Sequence, residues 1–174
     1  MEKSVLEKIE LIKDILGNDP FCLLIGEIIE VEKKIDEKLE EGPLKDYNFI
    51  IKKYEMLNGG VITIYGHLKR KSIQFYTENM PGGADKWICI GKIERYPLFI
   101  NKMNGEVSCL YGDLSNQNFI IESYGDFNNF LQHFYVGKRY CELGNKFVQF
   151  RGISETVGSK EDDWYQLLES NNLL

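Results

Sequence analysis

At Gly59-Gly60 the hydrophobic period of this chain changes. Before that point apolar residues recur every three or four positions, as on one face of a helix. After it, short runs rich in β-branched and aromatic residues follow one another between turn signals, as strands do. Val5, Ile9, Ile12 and Leu16 form a first helical stripe within Lys3 to Leu16, stopped by Gly17-Asn18. Ile28, Val31, Ile35 and Leu39 form a second, with Glu30, Lys33, Lys34, Glu37 and Glu41 on the outer face. Pro43 opens a third helix carrying Tyr47, Ile50, Tyr54 and Leu57. Asn58-Gly59-Gly60 closes it, which predicts a positive φ at Gly59 or Gly60 as in a helix C-cap.

Strands are expected at Val61 to Tyr65, Ser72 to Thr77, Trp87 to Ile93, Pro97 to Asn101 and Glu106 to Tyr111. Asn104-Gly105 predicts a tight type I′ hairpin between two of them, because both residues tolerate positive φ. Asp126 suits the N-cap of a helix bearing Phe127, Phe130, Leu131 and Phe134, with Gly137 at its end. Cys141 to Ile153 is ambiguous, and Glu161 to Leu168 reads as a last short helix. Helices, then strands, then helices, without βαβ alternation, specify an α+β fold: a mainly antiparallel sheet with N-terminal helices and a closing helix packed against it. Trp87, Ile90, Phe99, Ile100, Phe127, Phe130 and Leu131 are the expected core. At 174 residues the chain is expected to form one domain over 1–174.

Charge narrows the partners. The net charge is −6, and the first sixty residues hold fourteen Asp/Glu against nine Lys/Arg. That balance disfavours nucleic acid, whose phosphates need basic side chains, and suits a basic protein. The acidic clusters Glu37/Glu40/Glu41 and Glu161/Asp162/Asp163 are the candidate partner-binding residues; their plain alternative is a solvated helix face. Lys69-Arg70-Lys71, the one cationic run, reads as a solvated loop. No secretory signal is evident after Met1, and the apolar runs Phe21 to Ile25 and Phe119 to Ile121 are too short to span a bilayer, so a cytoplasmic protein is expected.

Catalytic signatures are sparse. His67 and His133 lack partners at metal-ligand spacing, so neither a metal nor another cofactor is expected. Cys22, Cys89, Cys109 and Cys141 contain no CxxC pair and sit among apolar residues, as in Trp87-Ile88-Cys89-Ile90, which reads as reduced, partly buried thiols. The chain has no Walker loop, GxSxG or HExxH, and Pro81-Gly82-Gly83 is a turn signal. No catalytic residues are assigned on these grounds.

The charged segment Ile28 to Leu39, then Pro43-Leu44-Lys45-Asp46-Tyr47-Asn48-Phe49-Ile50, then Leu57-Asn58-Gly59-Gly60, resembles the opening of the SUKH superfamily of bacterial immunity domains and yeast cell-wall regulators. Ile90-Gly91, Asn104-Gly105-Glu106-Val107 and Tyr124-Gly125-Asp126-Phe127-Asn128-Asn129-Phe130-Leu131 look like its later strands and closing helix. The similarity covers Ile25 to Tyr135; Gly42 replaces the usual leucine before the proline, and Lys138 onward has no counterpart. The resemblance implies a non-enzymatic domain that blocks a cognate polymorphic toxin by direct binding. Nuclease toxins, with basic active sites, are the class an acidic surface suits. A general interaction or regulatory module and an enzyme with an unrecognised carboxylate or cysteine site are the alternatives.

Overall fold

The computed structural model describes residues 4–32, 42–113, 118–151 and 156–174. Helix α1, Val5–Asn18, begins with a reciprocal cap: the Ser4 hydroxyl accepts from the Glu7 amide at 3.3 Å, and the Glu7 carboxylate accepts from the Ser4 amide at 2.7 Å. Its stripe of Ile9, Ile12 and Leu16 is buried, as the spacing predicts.

The second expected helix is corrected at its start. Gly26–Glu30 is a strand, β1, paired antiparallel with β2, Tyr54–Gly59, so that Ile28 lies opposite Leu57. The helical spacing of Ile28 and Val31 was local, whereas the pairing partner comes from about thirty residues downstream. Residues 33–41 lie outside the described residues, and with them the rest of that helix.

Helix α2, Lys45–Lys53, is shorter than expected because Tyr54 to Gly59 belongs to β2. Asn58 and Gly59 therefore pair with Thr63 and Ile62 of β3, Ile62–Tyr65, and Gly60-Val61 makes the turn between the strands, so the run is not a helix cap. Gly60 does have positive φ, +53°, but in service of a hairpin.

Next come α3, His67–Arg70, a 3₁₀ helix over Lys71–Asn79, and α4, Gly83–Lys86. The strand expected at Ser72 to Thr77 is thus helical. Gln74 supplies the strand-like pairing with its side chain. Its amide donates to the Cys89 carbonyl at 2.7 Å and accepts from the Cys89 amide at 3.1 Å. This occurs where a bulge between Cys89 and Gly91 interrupts the ladder.

Strands β4, Trp87–Ile93, β5, Tyr96–Asn101, β6, Glu106–Asp113, and β7, Asn118–Asp126, complete a seven-stranded sheet in the order β1-β2-β3-β4-β5-β6-β7, every neighbour antiparallel. The fold is α+β, as the element order predicts. At the β5–β6 turn only Gly105 has positive φ, +74°, and its amide donates to the Asn101 carbonyl at 2.8 Å. This is a wider loop than the expected type I′ turn, which needs both central residues in that region.

Asp126 caps α5, Phe127–Phe130, by accepting from the Asn129 amide at 2.8 Å, and the helix continues as a π-helical turn, Leu131–Tyr135. Of the ambiguous stretch Cys141 to Ile153, Cys141 and Glu142 close a 3₁₀ helix, Lys138–Glu142, and α6 spans Gly144–Arg151, while 152 and 153 lie outside the described residues; α7 follows at Asp163–Ser170.

All seven expected core residues are buried, but on two faces. Ile90, Ile100, Phe127, Phe130 and Leu131 join one contiguous core, which runs from Ile9 to Leu173 under the helices. Trp87 and Phe99 lie on the opposite face, in a smaller layer with Met80, Cys89 and Leu110 that the 71–79 helix covers through Ile73 and Tyr76.

Candidate interaction surface

The chain leaving α1 is turned outward by a short, rigid cap. Asp19 accepts from the Phe21 amide at 2.9 Å, and Pro20 opens a 3₁₀ helix over Pro20–Leu24. Cys22 and Ile25 pack inward against the main core. The same turn holds Phe21, Leu23 and Leu24 in solvent, 81%, 59% and 90% exposed. Three large apolar side chains within four residues are a patch, whereas scattered exposed ones are ordinary.

Beneath this ridge Trp164 of α7 lies flat against glycine backbone. A side-chain carbon at Gly26 or Gly59 would collide with its indole. The indole N–H donates to the Tyr135 carbonyl at 2.8 Å. This packing draws the start of α7 to the start of β1 and the end of β2, so Leu24, Val61, Glu161, Asp163 and Trp164 line one cleft of about 260 Å³.

The three adjacent carboxylates predicted as partner-binding therefore divide. Glu161 and Asp163 are exposed on the rim of that cleft. Asp162 is corrected to a buried structural residue. It accepts from the amides of Gly158 at 2.7 Å and Trp164 at 2.9 Å, and it lies near the Tyr140 hydroxyl. Tyr140 in turn accepts from the Val61 amide at 3.0 Å. Segment 160–163 still carries three carboxylates against Lys160. Glu37, Glu40 and Glu41 lie outside the described residues.

Sequence reasoning missed the apolar half of this surface. Phe21 to Ile25 reads only as a short apolar run, and only the helical turn shows that its residues divide between core and solvent. It also missed a larger cleft of about 680 Å³, where Lys8 of α1 meets His133, Lys138 and Arg139. Arg139 is occupied there: it grips Glu142 at 3.0–3.1 Å and sits 4.5 Å over the Phe134 ring.

The titratable groups that burial or pairing perturbs are moved away from reactivity. Glu10 accepts from Lys53 at 2.5 Å and from the Tyr54 hydroxyl, and pairs with Lys13 at 3.0 Å, which together pull its carboxyl down to about 2. A general base works best near the ambient pH, far above that value. Burial pushes the Cys89 thiol up to about 12 and the Cys109 thiol well above its ordinary range, which suppresses the nucleophilic thiolate.

His67 is buried in α3 with Nδ1 3.3 Å from the Arg70 guanidinium, and His133 is exposed. The basic run at 69–71 is not the expected loop: Lys69 and Arg70 belong to α3 and lie over the Tyr65 and Tyr47 rings. Among the described residues no three His, Cys, Asp or Glu side chains are grouped to hold a metal ion, and no helix is long and apolar enough to cross a membrane.

No family model, curated protein or solved structure matches this chain.

Proposed function

We propose that this chain is a non-enzymatic immunity protein of the cytoplasm, which neutralises a cognate polymorphic toxin by covering it. The single observation that carries this reading is the Phe21/Leu23/Leu24 ridge beside a cleft rimmed by Glu161 and Asp163. Apolar anchors that become desolvated supply most of the energy of a protein interface, while rim charges steer encounter and select the partner. Such a surface suits a basic protein that presents an apolar pocket or groove, a description that fits a nuclease toxin. The resemblance of the Pro43 to Gly60 and Tyr124 to Leu131 segments to SUKH immunity domains supports the same assignment.

The test is association and dissociation kinetics with the toxin domain encoded beside this chain. Leu24→Asp is expected to weaken binding at least tenfold, mainly through faster dissociation, since burying a leucine side chain contributes about 1.5–3 kcal/mol. Glu161→Lys with Asp163→Lys is expected to slow association at low salt and to matter little at high salt, where screening already removes the attraction. If the wild-type chain binds no neighbouring toxin, the immunity assignment fails. Binding untouched by either change would move the interface elsewhere.

A further inference from the structure

The two edges of the sheet are built differently. Edge strand β1 carries Glu27 and Glu30, and Glu30 is tied to Lys13 at 2.8 Å. Charge of this kind discourages pairing with another strand. Edge strand β7 instead presents Phe119, Ile120 and Ile121 in succession, 37%, 39% and 39% exposed. Among the described residues no backbone hydrogen bond reaches Asn118 to Glu122 from any element but β6. A long edge with unused ladder groups and apolar side chains on both faces is a template for one more strand.

We propose that the occupant is β7 of a second copy of this chain, paired antiparallel about a two-fold axis at Ile120. Pair types alternate along an antiparallel ladder, so a two-fold axis must pass through a residue facing its own copy and cannot pass between neighbours. Centring on Ile120 sets Phe119 opposite the second copy's Ile121, an aromatic to β-branched pair, and Asn118 opposite its Glu122, an amide donor to a carboxylate. Centring on Ile121 would instead face Ile120 with Glu122. Centring on Glu122 would oppose two carboxylates.

Faces agree with this register. Within each copy Ile120 lies opposite Tyr111 and Glu122 opposite Cys109, both on the main-core face, whereas Ile121 lies opposite Leu110 of the smaller layer. Facing residues in the joined ladder therefore share a side, and all six apolar side chains are covered. Charge also permits the approach, because Lys146 of α6 holds each Glu122 at 2.6 Å and neutralises it within its own copy. The order β1 to β7 places this edge six strand spacings, roughly 29 Å, from the β1 end that bears Leu24. A dimer joined here leaves both toxin-facing surfaces free. The proposal does not depend on the immunity reading.

Sedimentation velocity over a concentration series, without any partner, is the test. A monomer–dimer equilibrium is expected, and Ile120→Lys, which opposes two ammonium groups at the axis, is expected to abolish the dimer while leaving the circular dichroism spectrum and melting midpoint near those of wild type. Should that variant misfold, a conservative probe of the register remains. In a Cys22→Ser, Cys141→Ser background, Ile120→Cys is expected to form a covalent dimer with glutathione disulfide, because directly facing residues bring their Cα atoms within about 4.5–5.5 Å. Phe119→Cys is expected not to, since the two copies of that residue are offset along the strand. A chain that stays monomeric at every concentration, a dimer that survives a folded Ile120→Lys variant, or cross-linking of Phe119→Cys equal to that of Ile120→Cys would each overturn the proposal.

Discussion

Replacing Asp162 by alanine should destabilise the fold, although its two neighbours in the same acidic run can be replaced freely. Asp162 is the N-cap of α7, and losing such a cap costs about 1–2 kcal/mol. Its second oxygen accepts from the Gly158 amide in a buried setting, and leaving that donor unpaired costs a further ~1–2 kcal/mol. The sum, about 3 kcal/mol, corresponds to a fall in melting midpoint of roughly 8 °C for a chain of this length. Glu161→Lys should change stability by less than about 0.5 kcal/mol, as exposed substitutions usually do. Asp163→Lys should cost no more than about 1 kcal/mol, because it removes a favourable charge from the first turn of α7. Urea denaturation followed by tryptophan fluorescence reports all three, since Trp164 sits in the affected helix. An Asp162→Ala variant within 1 kcal/mol of wild type, or a Glu161→Lys variant as damaged as Asp162→Ala, would refute the division of this cluster into cap and rim.

Glu10, held at about 2 in the folded chain against an ordinary 4.5, stabilises the fold above pH 4.5 and loses that contribution as pH falls toward 2. The shift sets a ceiling of roughly 3 kcal/mol, which solvent screening at a carboxylate one-third exposed reduces to about 1 kcal/mol, so Glu10→Gln should cost about that much at pH 7 and nothing near pH 2 in an acid-titration series. A chromogenic disulfide should modify Cys22 and Cys141 in the native chain and leave Cys89 and Cys109 untouched until denaturant is added, because the last two are buried and held as thiols. Release of four thiol equivalents at native rates would contradict that burial.

Local chemistry carried much of this fold into the sequence. The α1 stripe, the Asp126 cap, the β4, β5 and β6 runs and the aromatic face from Phe127 to Phe134 are encoded by residues within one or two turns of one another, so their pattern suffices. The same is true of the α+β class, which follows from element order alone. Where the pattern misled, a distant partner decided. Ile28 and Leu57 fit helical stripes equally well, and only their pairing across the β1–β2 ladder makes both residues strand. Ser72 to Thr77 has strand composition, yet Gln74 meets the Cys89 backbone through its side chain and frees the segment to coil over the second face.

The candidate surface divides in the same way. That Glu161, Asp162 and Asp163 form an acidic run is plain in the sequence, but which of them faces a partner is not. Tertiary structure alone assigns Asp162 to the Gly158 and Trp164 amides and brings Leu24 beside Glu161, across more than 130 residues of chain. Periodicity and capping are short-range and survive as patterns of neighbouring residues. Exposure is a property of what remains after every long-range contact has formed, and no local pattern contains it.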